Sequence, residues 1–420
     1  MNAVKTATGY SNSYIQKFSP ELKFLILCMK HYLQTEKEEE LKEYSARIRN
    51  WDFFYNLILV HRLVFVVNHC IQTYPKLFPS KIKILLHNKQ QQNVAAMMSL
   101  TGDLVNINRL FKEHNLSLTT IKGPVLAKSL YGDTSNTRVS RDLDILIDKD
   151  KLTPIDKLLQ DNGFDLIINN KIAGCYLPQD YLAYELQTNH HIAYRSKKTK
   201  NLIEVHWQIS RYKKIQAYEF DSAELLHEQI NVLSEENNLL YLLWHGSIHH
   251  WRRLFWLLDI ARFLQKSQFN WEKLIHTAET YHILRGVLSG IFLAAQLFDI
   301  RIPEPVRQKY LQDKKAIDQL TKLDLKLLML NDNIPQQQTS KLVFYKNLIR
   351  SIHAEKLYSF TLNKRFKDKA RILIANFHSP ANREYIKLPQ NLFFLYIPLR
   401  PFIIILMWFK KIRLKKKYNI

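Results

Sequence analysis

The sequence has little of the residues that interrupt regular secondary structure. Its 420 residues include only 9 glycines and 13 prolines, which favours helices over tight turns. Cysteines are also few, and Cys28, Cys70 and Cys175 lie far apart. An odd and scattered set of cysteines gives neither a disulfide framework nor a zinc knuckle, and it favours a reducing compartment.

Long apolar runs are missing as well. The first residues contain no apolar core of a secretory signal. Near the other end, Phe402 to Phe409 is the longest unbroken part of an apolar tail and is far shorter than the ~20 residues of a spanning helix. We therefore expect a cytoplasmic protein. The basic run KKIRLKKK follows at residues 410–417. Two interpretations stay open for this tail: a helix lying on an anionic membrane at its inner face, or a packed helix with a solvated basic end.

Acidic residues are outnumbered. The chain has 61 Lys and Arg against 38 Asp and Glu, a formal net charge of +23. Such a charge predicts attraction to nucleotides, nucleic acid, anionic lipid or acidic glycans, although a general bias toward lysine explains it equally. Hydrophobic residues make up 46%, which is typical of a folded protein.

Changes in periodicity divide the chain into five regions and predict an α+β protein. The helices include one core helix over Phe53 to Val67 and one from about Asn93 to Asn115. The five regions are a flexible lead-in (1–19), a helical N-terminal region (20–115), an α/β core (116–220), a region that is helical from Asp221 onward (221–385) and an apolar and basic tail (386–420).

The central feature is the stretch SRDLDILI at residues 140–147. In a strand, Asp142 and Asp144 project side by side from one face, opposite Leu143 and Ile145. Two carboxylates so close repel each other by about 4 kcal/mol, so one is protonated or a cation lies between them. Mg²⁺ with carboxylate and phosphate oxygens is the usual solution. The alternative is a strand with a capping Asp142 and a solvated Asp144.

A third acid is expected nearby. Residues 190–195 and 202–207 alternate as strands around the basic turn RSKKTKN, which predicts an antiparallel hairpin. Glu204 and His206 share one face of the second strand, and that face can meet Asp142 and Asp144. A third carboxylate there favours a metal site of the kind used in phosphoryl transfer.

Basic residues lie beside these acids. Lys122-Gly123 comes between a short strand and a helix, a geometry that can meet a phosphate, although a simple turn explains it too. Arg138 and Arg141 precede Asp142. They are either struts that form ion pairs or fork-like donors to a triphosphate.

Further along, one helix is expected from Leu239 to Phe263, with positions 245, 249, 252, 256 and 259 on one face. His245 and His249 have the spacing of zinc ligands, but no glutamate lies between them in the required place, so packed core histidines are favoured. An accessory role for His245 or Arg253 in holding a nucleotide stays open.

Together these segments resemble the nucleotidyltransferases of the DNA polymerase β superfamily. They are more similar to an uncharacterised nucleotidyltransferase family often found near bacterial surface-polysaccharide genes. The likeness runs from about residue 20 to 409. Its motifs are Lys122-Gly123-Pro124, Leu130-Tyr131-Gly132-Asp133, Arg138, Ser140 to Ile147, Glu204-Val205-His206-Trp207, His245-Gly246, Trp256 to Asp259 and Tyr396 to Pro401.

The resemblance implies a mixed sheet with helices, flanked by helical regions. It implies that Asp142, Asp144 and Glu204 bind Mg²⁺ or Mn²⁺ and catalyse transfer. It also implies nucleotide binding by residues around the first strand, with His206 as an accessory residue of the site. The residues assigned to the nucleotide, ATP or another NTP, are Lys122, Gly123, Arg138, Ser140 and Arg141. Pro124 departs from the superfamily, which has serine there, so one phosphate-binding hydroxyl is missing.

Three functions follow as expectations. The first is a metal-dependent nucleotidyltransferase that moves a nucleoside monophosphate from an NTP to a hydroxyl acceptor, in surface-polysaccharide metabolism. The second is a non-catalytic nucleotide-binding or peripheral-membrane component of polysaccharide assembly. The third is an RNA-binding or RNA-modifying protein, which the charge favours and the lack of aromatics interleaved with basic residues opposes.

Overall fold

The computed structural model describes residues 12–168, 171–210, 219–332, 354–370, 382–383 and 385–406. Most of the expected flexible lead-in and the basic run at 410–417 lie outside these residues. No helix of the described part is both long enough and apolar enough to cross a membrane.

The chain begins with helices, as the apolar spacing predicts. They are α1 (Asn12–Ile15), α2 (Pro20–Tyr32), α3 (Glu38–Ala46), α4 (Trp51–His61), α5 (Val64–Thr73) and α6 (Ser80–Glu113). Local capping fixes two of them. The Ser19 hydroxyl accepts a hydrogen bond from the Leu22 N–H at 3.1 Å, and the Asn50 side chain accepts one from the Phe53 N–H at 2.8 Å.

Two predictions about these helices are wrong in detail. The apolar run over Phe53 to Val67 is not one helix, because Arg62 adopts a left-handed conformation with φ of +57° and separates α4 from α5. The long helix begins at Ser80 rather than Asn93. The polar stretch HNKQQQN at residues 87–93 separates its first apolar residues from the rest, so apolar periodicity did not reveal its first half.

An eight-stranded mixed sheet follows. Its strands are β1 (Thr119–Thr120), β2 (Asp142–Leu146), β3 (Phe164–Ile168), β4 (Lys171–Ile172), β5 (His191–Ser196), β6 (Leu202–His206), β7 (Phe220–Leu225) and β8 (Glu228–Leu233). Their order across the sheet is β4-β3-β5-β6-β2-β1-β8-β7. The described α-helices between these strands are α7 (Pro124–Tyr131), α8 (Leu152–Asp161) and α9 (Gln179–Thr188).

Strand pairing at the centre determines which side chains meet. The hairpin of β5 and β6 is antiparallel, as predicted, and β6 then runs parallel to β2. Leu143 and Ile145 of β2 are fully buried, together with Ile203 and Val205 of β6 and with residues of α6 and α8. One face of the sheet thus forms a core, and the opposite face carries the acidic residues.

The expectation that the chain is helical from Asp221 onward is wrong. Residues 220–225 and 228–233 form the hairpin of β7 and β8, and β8 pairs in parallel with β1. β7 lies at the edge of the sheet with mostly exposed residues, so it lacks the apolar alternation that marks a half-buried strand, and β8 buries only Ile230 and Leu233.

The helical part begins after this hairpin, at Glu235. Its helices are α10 (Glu235–Ile248), α11 (Leu254–Leu264), α12 (Trp271–Thr280), α13 (Leu284–Phe298), α14 (Glu304–Gln312) and α15 (Lys314–Asp332). Residues 354–362, 366–370 and 396–406 are helical as well.

The single helix expected from Leu239 to Phe263 is also wrong. His250 and Trp251 have positive φ values of 56° and 46°, and they separate α10 from α11. The fully buried Trp251 ring packs directly against Gly246 and Gly290. A bulky side chain inserted between two glycines therefore ends the helix, and the residues from 245 to 259 do not share one helical face.

Candidate functional site

Three of the predicted side chains lie on adjacent strands. Asp144 of β2 and Glu204 of β6 are Cα partners in the parallel pairing, and His206 lies two residues further along β6 on the same face. Ligand atoms of these three residues lie within 4.8 Å of one another. Asp144 is 3% exposed and Glu204 is partly exposed. The convergence of acids that the two strands predict is therefore present.

Asp144 already has two basic neighbours. Nζ of Lys122 lies 3.6 Å from its Oδ2, and Nε2 of His206 lies 3.1 Å from its Oδ1. Burial by itself raises the pKa of Asp144, but Lys122 and the His206 hydrogen bond outweigh burial and hold that pKa well below its usual range. Asp144 is therefore a carboxylate at neutral pH.

His206 connects the two acids. Its Nε2 also lies 3.4 Å from Oε2 of Glu204. Burial lowers the pKa of His206, while hydrogen bonds to Asp144 and Glu204 raise it by a greater amount. For Glu204, burial raises the pKa, and the His206 hydrogen bond together with the charges of His191 and His206 lowers it by more, so the net shift is downward.

Asp142 lies at the exposed end of the same strand. It is half-buried, and its pKa is raised by burial first and then by the charges of Asp144 and Glu204. The part of this shift that comes from Asp144 and Glu204 is the repulsion expected of neighbouring carboxylates. A divalent cation among these oxygens would remove it.

Imidazoles extend the donor set. His191 is the antiparallel partner of His206, and its Nε2 lies 3.9 Å from Oε2 of Glu204. His190, His191 and His206 form a second group whose ligand atoms lie within 4.8 Å of one another. Nδ1 of His191 and of His206 are buried without a hydrogen-bond partner. Two or three carboxylates with adjacent imidazoles fit a divalent cation, and nitrogen donors favour Mn²⁺ or Zn²⁺ over Mg²⁺.

Lys122 and Gly123 lie between a short strand, β1, and a helix, α7, as predicted. Gly123 is buried with φ of +77°, directly before Pro124 at the first position of α7. Lys122 is held between Asp144 and the ring of Tyr241, with Nζ 4.9 Å from the ring centroid. Burial lowers the pKa of Lys122, and Asp144 and Tyr241 raise it further than burial lowers it, so the ammonium is maintained.

Arg138 and Ser140 are engaged in the interior. Nε of Arg138 donates to Oδ2 of Asp259 at 2.8 Å, and Nη1 donates to the Ser140 hydroxyl at 3.1 Å. The Tyr131 hydroxyl donates to Oδ1 of the same aspartate at 2.7 Å. Of the two interpretations of Arg138, the structure supports a strut that joins the segment before β2 to α11.

The remaining predicted residues differ in exposure. Arg141 is exposed, and Arg253 is half-buried at the start of α11. His245, on α10, stacks near His249 and Trp256, with ring centroids 4.5 and 5.3 Å away. Burial and then the charge of Lys122 hold the pKa of His245 well below its usual value. Within the described residues neither His245 nor His249 joins a group of three metal-binding side chains.

Three residues near the acids were not predicted. Tyr241 contacts Lys122, His191 contacts Glu204, and Arg62 interacts electrostatically with Asp142. The interruption of an apolar helix by His61-Arg62 was the available signal for Arg62. For His191, the signal was its place in the predicted hairpin, two residues before Ala193, which pairs with Glu204. Tyr241 carried none, since it resembles any core aromatic of α10.

Comparison with known proteins supports the resemblance. A family model described as "Uncharacterised nucleotidyltransferase" matches residues 48–299, more than half of the chain. No curated protein and no solved structure matches the sequence. The matched stretch contains Asp142, Asp144 and Glu204 as well as Arg62 and Arg253. The chain therefore belongs to this uncharacterised nucleotidyltransferase family, which indicates a transferase acting on a nucleoside triphosphate.

Proposed function

We propose that this protein is a metal-dependent nucleotidyltransferase that transfers a nucleoside monophosphate from an NTP to a hydroxyl acceptor. Support comes chiefly from the placement of Asp144 and Glu204 as partners on parallel strands beside Asp142. In the transfer, the acceptor oxygen forms a bond to the α-phosphorus. The bond between that phosphorus and the oxygen that bridges the α- and β-phosphates breaks. Pyrophosphate leaves with the bonding electrons, and a site carboxylate accepts the hydroxyl proton.

The carboxylates of Asp142, Asp144 and Glu204 would hold the cation, with His206 and His191 as further donors. When bound, the cation would supply positive charge to the phosphate oxygens and to the acceptor hydroxyl. The chain itself contributes position. β2 and β6 fix the acids, and Lys122 adds a buried positive charge next to Asp144.

The acceptor is a hydroxyl of a small molecule, a glycan precursor, a protein or RNA. A setting in surface-polysaccharide metabolism rests on the resemblance described above. A specific observation favours the second candidate, a nucleotide-binding protein without transfer. Lys122 and His206 partly neutralise Asp144 and Glu204 without a metal, so the acids have a structural explanation as well.

The experiment uses purified protein, each α-labelled NTP and either Mg²⁺ or Mn²⁺. A labelled product together with pyrophosphate is expected. Asp144→Asn should lower the rate at least about a thousandfold, because a carboxylate that meets the cation becomes neutral. Asp165→Asn is the matched control, since Asp165 lies on β3 and pairs with Lys197 at 3.4 Å. Nucleotide binding without product would leave the second candidate standing.

We also propose that the C-terminal tail associates with an anionic membrane. Phe393, Tyr396 and Ile403 bury one side of the tail against Tyr184 of α9. The other side leaves large apolar residues at 47–64% exposure, namely Phe394, Phe402, Ile404, Ile405 and Leu406. The basic run at 410–417 follows directly in sequence. An apolar face next to clustered lysines matches the chemistry of an anionic leaflet.

A further inference from the structure

A hydrogen bond joins the N-terminal helices to the C-terminal ones next to the acids. Nδ1 of His61, the last residue of α4, accepts the N–H of Leu254, the first residue of α11, at 3.2 Å. The residue after His61 is Arg62 and the residue before Leu254 is Arg253. The contact therefore holds the backbones of two arginines from distant parts of the sequence close together.

Arg62 has no acidic partner among the residues that the structure describes. Its guanidinium carbon lies 5.4 Å from the ring centroid of Phe255, and that of Arg138 lies 5.2 Å from the same ring. Arg138 is paired with Asp259, whereas none of the described carboxylates forms an ion pair with Arg62. Nε of Arg62 is buried without a hydrogen-bond partner. A half-buried guanidinium with an unsatisfied N–H is costly unless an anion binds it.

Two further arginines share this environment. Arg141 directly precedes Asp142, and Arg253 directly precedes α11; within the part of the chain that the structure describes, neither has a carboxylate within ion-pair distance. Burial, and then the charges of Arg253 and Arg141, together lower the pKa of Arg62 to about 9. Asp142 is the acid that opposes this effect. Positive charge is thus concentrated beside one carboxylate.

We propose that Arg62, Arg141 and Arg253 bind the β- and γ-phosphates of the nucleoside triphosphate, an assignment that rests on the proposed function. Guanidinium groups match phosphate oxygens in pairs of hydrogen bonds, and three of them balance most of the charge of a triphosphate tail. Asp142 lies next to Arg141, so a triphosphate bound by these arginines lies beside the acids.

This assignment also explains how the departure at Pro124 is compensated. The serine hydroxyl of the superfamily is missing, and Pro124 has no N–H to offer at the start of α7. Lys122 and Arg138 are engaged with Asp144 and Asp259. The phosphate-binding arginines come from three parts of the chain: Arg62 before the sheet, Arg141 within it and Arg253 after it. Triphosphate binding therefore requires all three parts.

The test measures binding of inorganic tripolyphosphate by calorimetry at low salt and without a divalent cation. Arg62→Gln and Arg141→Gln should each raise the Kd at least tenfold, and Arg62→Lys should raise it less than Arg62→Gln. Arg141 is exposed, so its variant is free of folding effects. Melting temperatures check Arg62→Gln for a folding defect.

Arg49→Gln is the matched control. Arg49 is exposed before the other end of α4, an 11-residue helix about 16 Å long, so the same charge is removed away from the cluster. Its Kd should stay within twofold of the wild type. Unchanged binding in both Arg62→Gln and Arg141→Gln, or no binding by the wild type, overturns the assignment. Wild-type protein that binds tripolyphosphate but transfers no nucleotide overturns the proposed function alone.

Discussion

Arg138 and Asp259 form an ion pair in the interior, with Nε of the arginine 2.8 Å from Oδ2 of the aspartate and both side chains at most 2% exposed. They are separated by 121 residues in the sequence. The pair joins the segment that enters β2 to α11, so it holds the strand of acids against the C-terminal helices.

Asp259→Ala should lower the free energy of unfolding by about 3–5 kcal/mol, because it leaves the Arg138 guanidinium buried without a counter-charge. Urea denaturation at neutral pH measures this. The control is Asp52→Ala, since Asp52 is 70% exposed and pairs with Lys81 at 2.8 Å on the surface. There the loss should be about 1 kcal/mol or less. Equal losses of unfolding free energy in the two variants would show that the interior ion pair stabilises the fold no more than the surface pair does.

Gly246→Ala should destabilise the protein by about 1–3 kcal/mol. A Cβ at this position would lie 2.2 Å from the Trp251 ring, which is fully buried and has no room to move. Thermal denaturation gives the change. Gly102→Ala in α6 is the control, because a Cβ there meets nothing within 4 Å. It should stabilise by about 0.5–1 kcal/mol through helix propensity. A stable Gly246→Ala protein would contradict the packing described for Trp251.

Acid should destabilise the protein between about pH 6.5 and pH 4, in part through His61. Burial, and then the charge of Arg253, lower the pKa of His61 to about 4. The folded state therefore keeps His61 neutral while the unfolded state takes up a proton near pH 6.5, so stability is lost as pH falls through this window. The loss from this one group is at most about 3 kcal/mol.

The measurement is urea unfolding at pH 7.5 and pH 4.5. His61→Asn retains an acceptor for the Leu254 N–H and removes the titrating ring, so its stability should change less between the two pH values. His276→Asn, at an exposed position of α12, controls for the substitution itself. A pH dependence of His61→Asn that parallels the wild type would refute a contribution from His61.

Phe402→Asp should weaken binding to vesicles of phosphatidylserine and phosphatidylcholine at least tenfold, because it places a charge on the apolar side of the tail. Co-sedimentation measures the bound fraction. Ile84→Asp is the control, since Ile84 is 61% exposed on α6, outside the tail. High salt should release the wild type. Equal binding to vesicles of phosphatidylcholine alone would contradict the charge-dependent part of the proposal.

Local pattern predicted the centre of the sheet well. Alternation in residues 142–146 and 202–206, together with the basic turn before Leu202, was sufficient for β2, β5 and β6, because one face of each strand is buried. The hairpin of β7 and β8 was missed, since Phe220 and its neighbours lie on an exposed edge where no apolar period is needed.

Pairings over long sequence distances could not be predicted. In the sequence, Arg138 looks like a side chain that could donate hydrogen bonds to phosphate. Only the fold reveals that it forms an ion pair with Asp259. Arg62 looked like a polar interruption of a core helix, and its position near Arg253 depends on the His61 contact with Leu254. The acids were easier to find because Asp142, Asp144 and Glu204 lie on strands whose periodicity is visible in the sequence.

The two-residue strand β1 has a practical consequence for dissecting the protein. It is the bridge between β2 and β8, so the hairpin after residue 219 is part of the same hydrogen-bonded sheet as the acids. A fragment cut after residue 220 would expose the edge of β1 that pairs with β8. It would also lose Tyr241, which faces Lys122. Because Trp251 packs against Gly290 of α13, and α2 shares a buried core with α4 and α5, the smallest fragment worth expressing on its own would extend from α2 through α13.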